Sequence, residues 1–194
     1  MSTFRVDLGA DAVAVRAMAA ALDSYLYGDD LYGVLPGALP RVTVGGVLLR
    51  LHRLRALCAQ LNAEQVAALE QAERDLAEAR VEWALHYARK IARELSARQD
   101  SFNWFLTDCE ENPPRCAESY PPEAEKRTII HHLFEAGAED GLQLGELEQR
   151  QRALDGRLRR HFRAGDFVWS AHAQPAYPRS VFWWLYGRPT PRTP

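Results

Sequence analysis

Carboxylates and imidazoles one helical turn apart are the groups in this chain best suited to chemistry, because helical bundles hold metal ions with such pairs. Glu82 and His86 stand four apart in "EWALH", and His131, His132 and Glu135 stand together in "HHLFE". Two helices could thus bring a carboxylate and an imidazole each to one point, giving the donor set Glu82, His86, His131 and Glu135. Bundles that bind paired metal ions use Glu-x-x-His on two helices and a further Glu on each of two others, and neither segment supplies that pattern. With six His in the sequence, a Glu one turn from a His arises cheaply. The expectation is a solvated or hydrogen-bonded pair, with no metal and no other cofactor.

Nucleophilic chemistry has less to draw on. Cys58, Cys109 and Cys116 are odd in number and match no zinc spacing, so reduced thiols in a reducing compartment are expected. Cys109 and Cys116 flank "EENPPR" and would pair only on oxidation. Cys109 could meet His131 across the Pro-rich turn, but it sits near the negative end of a helix, which discourages a thiolate. "VGGV" at 44–47 precedes a helix yet lacks the remaining residues of a phosphate-binding loop.

Charge is segregated along the chain. Acidic residues dominate from Asp108 to Glu148, and Arg dominates from Arg150 onward. "RLRRHFR" places Arg157, Arg159, Arg160 and Arg163 close to Trp and Tyr, a composition that suits single-stranded nucleic acid. A formal net charge of −2 gives no global attraction to phosphate. Arg in a last helical turn also complements the dipole, and the acidic stretch can neutralise the Arg within the molecule or across a dimer. That pairing is the expectation taken here.

The elements that must position these groups read as helices. Helical periodicity predicts helices over 11–26, 43–61, 63–111, 122–136 and 143–163, with Asp11, Thr43 and Asn62 as N-terminal signals. Asn62 and Gln65 have capping-box spacing. Between Asn62 and Asn112 there is no Gly and no Pro, which predicts one helix of about fifty residues. At roughly 1.5 Å per residue it would be about 75 Å long, too long for its own chain to cover, and Asp100 and Ser101 mark the expected kink. Arg50, Arg53 and Arg55 are assigned to the wet side of the second helix. Pro113 and Pro114 end the long helix, and Pro121 and Pro122 start the next.

The remainder, 164–194, reads as an extended strap carrying Trp169, Phe182, Trp183, Trp184, Tyr186 and Arg188. So many exposed rings would invite aggregation, so the strap is expected to pack on the bundle and against "YLYGDDLYGVLPGALP". The alternative is a partner-binding surface, since Trp, Tyr and Arg dominate interface energy. No membrane-length apolar run and no basic leader is visible, and a cytoplasmic location is expected.

"WALHYARKIARELSARQDSFNWFLTDCEENP", with "GDFVW" and "FWWLYGRP" further on, resembles an uncharacterised bacterial family whose members share this long helix and this ending. The resemblance implies a single all-α domain, implies no activity and carries over no functional residue. The sequence therefore predicts an all-α bundle acting as a non-enzymatic interaction or assembly protein. A homodimer formed along the long helix is expected. Nucleic-acid binding through the Arg-rich helix and a metal-dependent enzyme are the alternatives.

Overall fold

Asp7, not Asp11, starts the first helix: its carboxylate accepts from the Ala10 amide at 3.0 Å. The computed structural model describes residues 4–190 and is 72% helical. Helix α1 spans Leu8–Ala20 and α2 spans Leu22–Tyr27, so the expected 11–26 helix is two. Thr43 caps α3, Val44–Ala56, through Gly46 N at 2.9 Å. Residues 58–60, expected as its last turn, form a separate 3-10 turn. Asn62 and Gln65 close a capping box with 2.9 Å bonds in both directions at the start of α4, Ala63–Glu82.

The single long helix is not present. It is interrupted at Trp83, and α5 runs Ala84–Glu111 without a break at Asp100. The physical reason lies in the partners. Ala68, Leu69, Ala72, Leu76 and Ala79 bury the α4 stripe in the core with α1, whereas Tyr87, Ile91, Leu95, Phe102 and Leu106 bury the α5 stripe against α6, Pro113–Glu139, and its neighbours. The two helices meet at Trp83, whose backbone leaves helical geometry at φ −111° and ψ 30° and whose ring packs edge-on against Tyr27, centroids 5.7 Å apart. The seam expected to recruit a second copy is thereby buried within the chain.

Helix α6 begins at Pro113 and continues through Pro121 and Pro122, contrary to the expected start at 122. A proline at 121 cannot donate to the carbonyl of residue 117. Arg188 of the strap supplies the missing donor, its Nη1 lying 2.9 Å from Ala117 O. Cys109 and Cys116 form a disulfide across the α5–α6 junction, which corrects the expectation of reduced thiols at these two positions. Cys58 is free and exposed.

After α7, Gly145–His161, the chain does form strands: β1, Phe162–Phe167, pairs antiparallel with β2, Tyr186–Pro189. Gly187 makes this pairing possible, because at its φ of +143° an added Cβ would lie 2.1 Å from Arg163 O. Residues 191–194 of the expected strap lie outside the described residues. The core has two parts. One joins α1–α4 to the N-terminal half of α5 and the C-terminal half of α6. The other gathers Phe102, Leu106, Tyr120, Leu154 and Leu158 around the strap. The strap therefore packs on α3, α5, α6 and α7, and the 25–40 segment lies elsewhere, with Asp29 O accepting from Arg93 at 2.8 Å and Asp30 O accepting from Lys90.

Candidate metal centre

Helix α6 crosses from one core to the other, and His131 and His132 sit at that crossing. Glu135 follows three and four residues later, so one carboxylate lies above both rings on the same face. Strap rings close the side away from solvent: Phe182 and Trp184 lie 4.9 and 5.6 Å from His131 by centroid. Helix α3 closes another side with His52, whose ring is 4.5 Å from that of His132.

His132 Nδ1 lies 3.0 Å from Glu135 Oε2, and His131 Nε2 lies 3.2 Å from Glu135 Oε1. A ring nitrogen and a carboxylate oxygen attract at such distances only with a proton or a cation between them. The His132 contact has hydrogen-bond geometry; the His131 contact does not, which leaves Nε2 of His131 buried without a hydrogen-bond partner, as is Nε2 of His132. One donor atom from each of His131, His132 and Glu135 falls within 4.8 Å of the others. Zinc–nitrogen and zinc–oxygen bonds of about 2.0–2.2 Å put tetrahedral ligands about 3.3 Å apart, close to the spacing of the two His–Glu contacts. Nitrogen, nitrogen and carboxylate oxygen form a donor set suited to Zn(II), Fe(II) or Co(II).

The close contacts with His131 and then His132 hold the Glu135 carboxyl well below its ordinary value. Burial pushes His132 down, opposed by Glu135. Burial also pushes His52 down to about 4, with His132 adding to the effect. A neutral His132 and an ionised Glu135 are the forms in which these two groups can ligate a metal.

A cavity of about 190 Å³ opens beside this group, lined by His52, His132 and Glu135 together with Arg55, Arg80 and Glu139. Its cations are compensated. Arg55 Nη2 lies 2.7 Å from Glu73, and Arg80 pairs with Glu139 and Asp140.

The structure thus brings together two of the four residues first considered for a metal, His131 and Glu135. It adds His132 and keeps the donor set on one helix. Glu82 is exposed and His86 packs edge-on against Trp83 at 5.5 Å, and among the described residues neither joins a three-residue metal-ligand cluster. His52 carried no signal, since a lone His on an apolar helix face looks like any core histidine.

Most of the remaining candidates make contacts within the chain. Trp169, Phe182 and Trp184 are buried, as is Tyr186. The indole of Trp169 donates to Pro121 O at 3.2 Å, and that of Trp184 donates to Thr128 Oγ1 at 3.0 Å. Trp183 is half-buried beneath Arg159, whose guanidinium carbon lies 3.7 Å from the ring centroid. Arg157 binds Glu110 Oε2 at 2.9 Å and also reaches Asn103 and Thr107. Arg157 and Arg159 thus make contacts within the chain, and Arg160 and Arg163 lie at the surface. Arg127 with Asp155 and Arg150 with Asp100 join other acidic and basic residues across helices.

Fold and site together define a mostly helical protein with a two-stranded closure and a His-His-Glu cluster between its cores. No protein-family model, curated protein or solved structure matches the chain. No helix of the described residues is long and apolar enough to cross a membrane.

Proposed function

We propose that this protein binds one divalent transition-metal ion through His131, His132 and Glu135. The observation that supports this most is the convergence of the three donors within 4.8 Å on one helix, with the buried Nε2 of His131 making no hydrogen bond and lying 3.2 Å from the Glu135 carboxylate. A buried nitrogen without a partner is costly, and a cation is the partner that also suits the carboxylate. Three protein ligands leave room on the cavity side for water, the arrangement found in catalytic rather than structural zinc sites. Metal bound there would make that water more acidic. Assembly of the protein with itself is a weaker proposal, since the helical seam that motivated it is buried.

The test is metal content after zinc loading and dialysis. One zinc per chain is expected in the wild type, with loss in Glu135→Gln. Glu135 is exposed, so this change leaves the core intact. A wild type that retains no stoichiometric zinc would refute the proposal.

A further inference from the structure

We propose that the Cys109–Cys116 disulfide is a redox-operated clasp for the strap, and that its reduction by a dithiol frees the strap from α6 while the first core stays folded. This device is independent of the metal proposal. Residues 113–120 form the first turns of α6, yet their sequence does not favour a helix continuous with the rest. Asn112, the residue before them, makes no side-chain capping bond, and Pro121 and Pro122 suit the first turn of a helix better than its interior. In an unbroken helix the amides of residues 121–124 would donate to the carbonyls of residues 117–120. Pro121 and Pro122 have no such hydrogen to give, so the segment is loosely joined to the remainder of α6. Its covalent tie is to α5, through the disulfide from Cys116 back to Cys109.

The same segment anchors the strap. Arg188 donates to the carbonyl of Ala117, the residue next to Cys116, at 2.9 Å. The Tyr120 hydroxyl donates to Trp184 O at 2.7 Å, and the Trp169 indole donates to Pro121 O at 3.2 Å. Tyr120 is buried and packs edge-on against Phe162 of β1, centroids 6.0 Å apart. While the disulfide is closed, these anchors are held against α5. Once it opens, Pro121 and Pro122 become the start of the helix, residues 113–120 unwind, and the strap loses its anchors together. The exchange balances: one thiolate of the dithiol attacks a cystine sulfur, the S–S bond breaks, and the second thiol displaces the mixed disulfide. The dithiol leaves as its own disulfide, having passed two electrons and two protons to Cys109 and Cys116. Both cysteines are buried, so attack requires the junction to open first, and the bonds missing at the two prolines lower the cost of that opening. Freeing the strap uncovers Phe102, Leu106 and Leu158 of the second core and withdraws Phe182 and Trp184 from His131.

The experiment is amide hydrogen exchange of the metal-free full-length protein, read by mass spectrometry with and without dithiothreitol, for the wild type and for the double variant Cys109→Ser/Cys116→Ser. The oxidised strap is protected by the β1–β2 pairing and by the Val168 amide, which donates to Leu185 O at 2.9 Å. Reduction is expected to speed exchange in peptides from 113–120 and 162–189 by about tenfold or more, with α1, α3 and α4 unchanged. The double variant should exchange like the reduced wild type whether or not dithiothreitol is present. Strap exchange that reduction leaves unchanged would overturn the proposal. Equal acceleration in α1, α3 and α4 would also overturn it, by making the disulfide a general staple of the fold. So would a disulfide that dithiothreitol cannot reduce while the chain is folded. The wild-type comparison decides the matter even where the double variant fails to fold.

Discussion

Arg53 was assigned to a wet helix face, yet its side chain is only 4% exposed and gathers Tyr177 Oη at 2.9 Å, Glu125 at 2.7 Å and Asp11 at 3.4 Å, with Trp169 stacked beside it. Removing one partner from a buried ionic group leaves the others unpaired, at a cost of about 3–5 kcal/mol. Arg53→Met is therefore expected to lower unfolding free energy by that amount in urea titrations, and a loss below about 1 kcal/mol would show that the network is not fully desolvated. The imidazoles give a pH signature in the chelator-treated protein. Burial pushes folded His52 down to about 4 from its ordinary 6.5, so between these values the unfolded chain binds the extra proton and stability must fall with falling pH. The stability is fully present above about pH 6.5 and is lost progressively toward pH 4, by roughly 3 kcal/mol from this residue, with buried His132 acting in the same direction. Unfolding curves of His52→Gln should show a shallower decline over that window; an unchanged decline would contradict the assignment.

At the scale of elements, caps and stripes were legible because they are local. Thr43 and the Asn62–Gln65 box needed only their neighbours, and the Leu69, Leu76, Tyr87, Ile91, Leu95 series needed only periodicity. The break at Trp83 was not legible, since it follows from which helix each half must face, and no Gly, Pro or cap residue marks it. The passage of α6 through Pro121 was hidden for a similar reason: the carbonyl freed at Ala117 is satisfied by Arg188, far away in sequence. The β1–β2 pair was missed because its register is irregular between Ala164 and Phe167, which erases a clean alternation. Helix contact also sets a strict limit at Gly45, where an added Cβ would sit 2.3 Å from Ile129 Cγ2 and 2.7 Å from Glu94 Oε1. Glu94 is fully buried and accepts from Gly45 N at 3.0 Å, so it cannot simply swing away. Gly45→Ala is expected to cost about 1–3 kcal/mol by overpacking, whereas Gly156→Ala, with open space around it, should be neutral or stabilising by thermal unfolding. Equal effects at the two positions would show that α3 and α6 are not packed as described.

For the whole molecule, the strap joins structure to site. Its rings bury on α6, its Ala176 carbonyl orients His52, and Phe182 contacts all three imidazoles. The sequence named His131 and Glu135 through their spacing on one helix, but it paired them with Glu82 and His86, because nothing local says which two helices meet. It could not single out His52, whose hydrogen-bond partner Ala176 comes from the strap, more than a hundred residues away. The claim on which the rest depends is that His131, His132 and Glu135 share one cation. Anomalous diffraction from zinc-soaked crystals, recorded on both sides of the zinc edge, tests it most directly. One strong peak within bonding distance of all three side chains is expected. No peak there, or a peak held by other residues while this cluster keeps its protons, would contradict it.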